Sequence, residues 1–209
     1  MDRILESLKL EGDRSTAVSE LVKKGEEIVP TLLDIFKQDS NIKLRRGLAF
    51  AVSRIASQVQ SPIVKDFLQL AVKDDNKSIK WFACYGLGNL QLLDTLDNII
   101  ACMSLPNDAE NESFDPNDAS AEDVRRCAAE AAAKFGVTAL SSVKSLLMSN
   151  NASTREAVSL SLARIAQRLE MGSSERIEIE NILTDLSEND PDSRVKNASK
   201  EFLDSLKNQ

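Results

Sequence analysis

The feature that most constrains the fold is a basic residue that recurs at the start of six similar segments. These residues lie 31, 35, 45, 30 and 41 positions apart: Arg14, Arg45, Lys80, Arg125, Arg155 and Lys196. Small or apolar residues follow each of them at +3 and +7, and in the last five also at +10, which is the spacing of one stripe along an α-helix. Such a repeat predicts a helical solenoid, because neighbouring units must stack to bury their stripes.

A second series of amphipathic segments lies between the repeated ones, at 26–37, 62–73, 92–103, 138–149 and 175–187. The chain has only 4% aromatic residues and five prolines in 209 residues, which favours long helices packed through small and aliphatic side chains. The sequence therefore predicts an all-α protein. We expect a right-handed α-α superhelix of about five to six helix pairs, forming a single domain over residues 1–209.

The composition argues against several classes of function. The chain carries 26 Lys and Arg against 33 Asp and Glu, a net charge of −7, which disfavours nucleic acid as a partner. It has no histidine, and so lacks the commonest general base and metal ligand. We therefore predict no enzymatic activity, no metal and no cofactor. Cys84, Cys102 and Cys127 lack the CxxC spacing and are interpreted as buried thiols of a cytoplasmic protein without a signal peptide. No apolar run is long enough to span a membrane.

The negative charge is concentrated in one stretch. Residues 104–123 contain seven acidic residues and no Lys or Arg, together with the turn signals LPND and DPND. This stretch also accounts for the longest interval between basic residues, and we interpret it as an acidic loop inserted at about 104–121. Such a loop could be solvated and poorly ordered, or it could fold over one face of the solenoid and compete there with a partner.

An Asp six residues before the basic position, followed by a V-R-x-x-A-x-x-A pattern, resembles the HEAT-repeat family. The variant that it is most similar to has short two-helix repeats of the phycobilisome-lyase type. The resemblance covers nearly the whole chain and implies a ladder of bonds between successive repeats. Its members here would be Asp39, Arg45, Asp74, Lys80, Arg125, Arg155, Asp190 and Lys196. Two repeats depart from the pattern, because Ala119 and Ser149 occupy the place of the Asp.

The only Trp and the only Tyr of the chain, Trp81 and Tyr85, occupy positions +1 and +5 of their repeat. At about 100° per residue they point away from the buried stripe, toward the concave surface that the second helices of HEAT-like repeats line. Related outward positions complete a predicted partner-binding patch of Arg46, Phe50, Trp81, Tyr85, Gly88 and Arg126. Alternatively, the rings pack on a neighbouring helix and the glycine only allows two backbones to approach.

Two functions fit these observations. The architecture and the aromatic patch indicate a non-enzymatic scaffold or adaptor that holds another protein or a peptide on its concave face. The family resemblance implies the alternative of a bilin-handling protein, a lyase or chromophore-detaching factor for phycobiliproteins. A tetrapyrrole would suit an aromatic groove with arginines for its propionates. The visible absorbance of a bilin mixed with the protein would distinguish the two.

Overall fold

A computed structural model describes residues 1–108 and 118–208 of the chain. Within these ranges there are twelve α-helices and no strand. In chain order they are α1 (Asp2–Lys9), α2 (Glu11–Lys23), α3 (Val29–Gln38), α4 (Ile42–Ile55), α5 (Pro62–Ala71), α6 (Lys77–Leu90), α7 (Leu96–Met103), α8 (Ala121–Ala133), α9 (Leu140–Lys144), α10 (Ala152–Ala166), α11 (Ser174–Asn189) and α12 (Ser193–Lys207). None of the helices in this part of the chain is both long and apolar enough to cross a membrane.

The described helices form six successive pairs, in agreement with the predicted all-α solenoid. Each even-numbered helix contacts the next even-numbered helix along the whole array, from α2 to α12. The odd-numbered helices contact one another less extensively, chiefly between α3 and α5 and between α7 and α9. Closer spacing on one side curves a solenoid toward that side. We therefore call the face of the even-numbered helices that points away from the odd-numbered layer the inner face.

The repeated stripe lies in the core, as predicted. The fifteen residues at +3, +7 and +10 of the last five repeats expose at most 9% of their surface: Leu48, Val52, Ile55, Ala83, Leu87, Leu90, Ala128, Ala132, Phe135, Val158, Leu162, Ile165, Ser199, Leu203 and Leu206. Small residues are frequent in this stripe because successive even-numbered helices approach closely. At the last interface, for example, the hydroxyls of Ser159 and Ser199 are hydrogen-bonded at 2.9 Å.

Each even-numbered helix from α4 to α12 begins at a polar residue that caps it. The side chains of Asn41, Asn76, Asn151 and Asp192 accept a backbone N–H two or three residues later, and Ser120 forms a reciprocal capping box with Asp123. Such side chains satisfy N–H groups that a helix leaves unpaired at its start. The repeated Asn and Asp residues thus fix where the second helix of each pair begins.

Two bonds of the predicted ladder connect successive repeats. Arg45 contacts the carboxylate of Asp74, and Arg155 donates from Nε and Nη2 to Asp190 at 2.7 and 2.8 Å. Asp74 and Asp190 each also accept the backbone N–H two residues later, which shapes the turn. The remaining basic residues bond to carbonyl oxygens instead: Lys80 to Val72, Arg125 to Leu105 and Pro106, and Lys196 to Glu188. Asp39 accepts the N–H of Asn41.

One helix is shorter than its sequence pattern predicts. The amphipathic segment 138–149 is helical in α9 only over Leu140–Lys144, and tight turns follow it. Serines interrupt the segment, and the Ser145 hydroxyl donates to the carbonyl oxygen of Ser142 at 2.7 Å. Hydroxyl groups of this kind compete with helical hydrogen bonds and lower helix propensity.

Candidate functional site

Four aromatic side chains from α4 and α6 form a contiguous cluster on the inner face, which we call the aromatic strip: Phe50, Trp81, Phe82 and Tyr85. The ring of Phe50 stacks on that of Phe82 with centroids 4.8 Å apart. Trp81 meets Phe82 edge-on at 5.2 Å and lies parallel to Tyr85 at 6.0 Å. All four rings are half-buried and pack against the core beneath them. The rings therefore pack on neighbouring helices, as one alternative predicts, and they also stay partly exposed, as a partner-binding patch requires.

A lysine directly after α8, the next inner helix, ends the strip. The ammonium of Lys134 lies 5.1 Å from the centroid of the Tyr85 ring and also contacts the amide oxygen of Asn89. A cation over an aromatic face is attracted by the electron density of the ring. Lys134 and Phe82 lie outside the patch that the sequence predicts. Phe82 precedes Ala83 of the buried stripe, and its contact with Phe50 requires the actual spacing of α4 and α6.

Arg46 does not contribute to this surface as the sequence predicted. It is only 4% exposed, and its Nη1 lies 3.7 Å from the carboxylate of Asp118, at the end of the acidic segment. The same carboxylate accepts from the amide of Asn76 at 2.7 Å and from the hydroxyl of Ser78. Asp118 therefore lies at the start of α6 and beside Arg46, an arrangement that a helical wheel of α4 alone does not reveal.

Gly88 lies beneath the surface, where the sequence predicted an open patch beside the rings. It is buried between α6 and α8, and a methyl group at its Cα would come within 2.7 Å of Ala131 Cβ and 2.8 Å of Ala131 Cα. Such distances are shorter than side-chain packing allows. Gly88 is thus needed for the close approach of two inner helices and does not form part of a pocket.

We expect Gly88→Ala to lower the free energy of unfolding by about 1–3 kcal/mol, because the added methyl must push α8 away from α6. The change should be destabilising even though Ala is the better helix former by about 1 kcal/mol. Gly12→Ala in α2 is the matched control, since a methyl there meets no atom within 4 Å. Urea unfolding of both variants measures the difference, and a Gly88→Ala protein as stable as wild type would contradict the close packing.

A second feature of the inner face is a groove between α8, α10 and α12, which we call the C-terminal groove. Its volume is about 240 Å³, and its lining includes Glu122, Arg126, Glu156, Leu160, Glu201 and Phe202. Four of these residues, at 126, 156, 160 and 201, occupy the same +1 and +5 positions as Trp81 and Tyr85. Arg126 is the only residue of the predicted patch in this groove, and it is exposed. Burial and the nearby negative charge of Glu122 raise the pKa of Glu156.

The described ends of the acidic segment contact the even-numbered helices. Arg125 of α8 donates to the carbonyl oxygen of Leu105 at 2.8 Å, and Asp108 pairs with Lys77 at the start of α6. Together with the contacts of Asp118, these bonds hold both ends against one edge of the solenoid. The centre of the segment, residues 109–117, lies outside the described residues. Its predicted solvation or competition with a partner therefore stays a prediction.

The chemistry of the cysteines follows from their environment. Cys84, Cys102 and Cys127 are buried, and burial raises the pKa of the Cys127 thiol to about 12. A thiol with such a pKa is protonated near neutral pH and is a poor nucleophile or metal ligand. Across residues 1–108 and 118–208, no three Cys, Asp or Glu side chains are grouped so that they could hold a metal ion.

Stacked helix pairs with a continuous inner face define a helical repeat scaffold. Comparison with solved structures shows which class of repeat fold this scaffold has. The complex of CpcE and CpcF of phycocyanin lyase from Nostoc sp. PCC7120 is similar at a TM-score of 0.54 and 16% identity, covering 84% of this chain and 98% of that chain. The fold is therefore that of a HEAT-like repeat protein, as the sequence predicted.

Two further structures align with lower scores. A designed armadillo repeat protein in complex with the peptide (KR)4 has a TM-score of 0.49 and 14% identity, covering 98% of each chain. The archaeal HEAT-like repeats protein from Thermococcus onnurineus NA1 has a TM-score of 0.39 and 14% identity, covering 99% of this chain and 97% of that chain. No protein-family model and no curated protein sequence matches the chain.

Proposed function

We propose that the chain is a non-enzymatic scaffold that binds an extended segment of another protein along its inner face, with the aromatic strip as the anchor. The observation that carries this proposal is the contiguous, half-buried arrangement of Phe50, Trp81, Phe82 and Tyr85. Aromatic rings that are fixed by their neighbours and open on one side are the residues that contribute most to binding energy at protein interfaces. They lose little conformational entropy when a partner covers them.

The geometry favours a protein segment over a bilin at the same place. The propionates of a tetrapyrrole need cations beside the rings. Of the two arginines of the predicted patch, Arg46 is buried against Asp118, and Arg126 is exposed but lines the C-terminal groove. Lys134 is engaged with Tyr85 and Asn89. The similarity to the phycocyanin lyase complex is at 16% identity and supports the fold only. A protein segment needs no such cations, because it can bind the strip through apolar side chains.

The proposal can be tested before the natural partner is identified. Peptides are selected on the immobilised full chain from a random displayed library, and their affinities are then measured by fluorescence anisotropy. We expect Trp81→Ala to weaken the selected peptides by about 2 kcal/mol or more, about thirtyfold in Kd, because a central interface aromatic is lost. The Trp81 emission of the wild-type protein should also shift to the blue on binding, as the open side of the ring leaves water.

Two variants serve as controls for this experiment. Leu93→Ala removes an apolar side chain that is 63% exposed in the connection between α6 and α7, outside the aromatic strip, and should leave binding unchanged. Trp81→Phe keeps an aromatic ring against Phe82 and Tyr85 and should retain most of the affinity. Peptides that bind Trp81→Ala as tightly as wild type would refute the aromatic anchor. A bilin that gains visible absorbance with the protein and displaces the peptides would favour the alternative function.

A further inference from the structure

The C-terminal groove is too small for a whole ligand but suits a single long side chain. Its volume of about 240 Å³ lies below the range of about 300–1,000 Å³ that small-molecule sites occupy. Leu160, which is 7% exposed, and Phe202 supply apolar walls. The groove lies on the same face as the aromatic strip, two inner helices further along the array. A segment anchored on the strip and running toward the C-terminus would pass over it.

The carboxylates of the groove lack compensating partners. Glu122, Glu156 and Glu201 line it, and none of the three makes an ion pair or a side-chain hydrogen bond with the described part of the chain. Glu156 is half-buried, and the charged groups that act on it are Glu122, Arg194, Asp192 and Arg125. Its pKa is nevertheless raised, chiefly by burial, so these cations do not compensate for the lost contact with water.

Three arginines also line the groove, and two of them are bonded to groups outside it. Arg125 is 4% exposed and donates to backbone carbonyl oxygens of the acidic segment. Arg164 lies 3.9 Å from Glu130 and donates to Gln167 at 3.1 Å. Arg126 is exposed on α8, on the side of the groove nearer the aromatic strip. The lining thus carries three carboxylates and three guanidinium groups, and the carboxylates on α10 and α12 without an ion pair among the described residues, Glu156 and Glu201, are the acceptors that it offers to a cationic guest.

We infer that the C-terminal groove receives a lysine or arginine side chain of the segment that binds the aromatic strip. Its aliphatic stem would lie against Leu160 and Phe202, and its charged head would approach Glu156 and Glu201. This inference rests on the proposed function and adds the chemistry of the partner. An apolar stem with a cationic head matches the apolar walls and the unpaired carboxylates of the groove.

The arrangement of the helices also fixes the spacing in the partner. Trp81 on α6 and Glu156 on α10 are two helix-to-helix steps apart. Packed helices lie about 8–10 Å from each other, so the two sites are separated by about 16–20 Å. An extended chain rises about 3.3 Å per residue and covers that distance in about five or six residues. The partner should thus carry a basic residue about five or six positions from its apolar anchor.

The test uses the peptides selected on the wild-type chain, with each basic residue replaced in turn by Gln. At the inferred spacing, the replacement should weaken binding to wild type about tenfold, the effect of one charge-assisted hydrogen bond. The same replacement should weaken binding to the Glu156→Gln variant much less, because one of the two carboxylates that the cationic head approaches is then gone. Glu156→Lys should reverse the preference and bind the peptide with Glu at that position more tightly. Glu170→Gln, in the turn after α10, is the matched control.

A pH titration gives an independent readout. Affinity for the basic peptide should fall as the pH is lowered through the raised pKa of Glu156, and Glu156→Gln should lack this dependence. The inference is overturned if the selected peptides depend on Trp81 but carry no basic residue at the expected spacing, or if its replacement affects wild type and Glu156→Gln equally. Peptides that do not depend on Trp81 would refute the proposed function itself. A thermal unfolding curve confirms that each variant is folded.

Discussion

Replacing Asp190 by Asn is expected to lower the free energy of unfolding by about 3–5 kcal/mol, the range for breaking one partner of a buried ion pair. Arg155 is 8% exposed and Asp190 5% exposed, and two parallel hydrogen bonds of 2.7 and 2.8 Å join them. In the Asn variant the guanidinium stays buried without a counter-charge. Arg155 also donates from Nη1 to the carbonyl oxygen of Ser149 at 2.7 Å, so it cannot easily turn toward water.

The pH dependence of this effect has a definite sign. The Arg155 guanidinium holds the pKa of Asp190 below its ordinary value, so the unfolded chain binds this proton more readily than the folded one. The stability that Asp190 contributes is complete above its unfolded pKa and is lost as the pH falls through the folded pKa. The difference between wild type and Asp190→Asn in urea unfolding should therefore shrink on acidification.

Asp192→Asn is the matched control for the ion pair, because it changes a carboxylate to an amide two residues away. Asp192 pairs with the exposed Arg194, and Asn retains the ability to cap α12. We expect its effect on stability to be far smaller. Equal losses in the two variants would show that the pair between Arg155 and Asp190 does not hold the last two repeats together.

The fold could be predicted from the sequence because its signal is local and repeated. Each of the last five repeats places its +3, +7 and +10 residues in the core, so one alignment determines the buried face of each of these inner helices. The ladder was predictable only where an arginine and an aspartate coincide, as in the pair between Arg45 and Asp74. Lys80 has a single ammonium in place of the forked guanidinium. It bonds to the carbonyl oxygen of Val72 at the end of α5, in the preceding helix of its pair.

The site was less predictable because it depends on contacts between elements. The angular argument that placed Trp81 and Tyr85 on the inner face treats one helix as if it stood alone. For Gly88 that argument fails, since Ala131 of the next helix covers it. For Arg46 it fails because that residue is buried and lies beside Asp118, which is far away along the chain. The C-terminal groove gave no signal at all, since Glu156 resembles an ordinary solvated residue until α8 and α12 enclose it.

Phe67→Ala is expected to lower the free energy of unfolding by about 3–5 kcal/mol, the usual loss for a fully buried aromatic ring. Phe67 on α5 is completely buried and meets Phe36 of α3 at 4.9 Å with the rings tilted by 54°. The guanidinium of Arg45 covers Phe36 at 4.6 Å and also contacts Asp74, so the aromatic pair and the ladder share one junction. Phe67→Leu keeps most of the apolar volume and should lose less.

Combining Phe67→Ala with Asp190→Asn tests how far the array unfolds as one unit. The two residues lie in the third and sixth helix pairs and share no partner, and each repeat of a solenoid contacts only its neighbours. Because the inner helices are in continuous contact from α2 to α12, we expect a single cooperative transition in which the two losses add to within about 0.5 kcal/mol. Trp81 fluorescence reports on α6 and circular dichroism on all helices, so the two unfolding curves should coincide. If Phe67→Ala shifts the fluorescence transition to lower urea while part of the circular dichroism signal is lost only at higher urea, the N-terminal repeats unfold separately, and the aromatic strip lies on the less stable part of the scaffold.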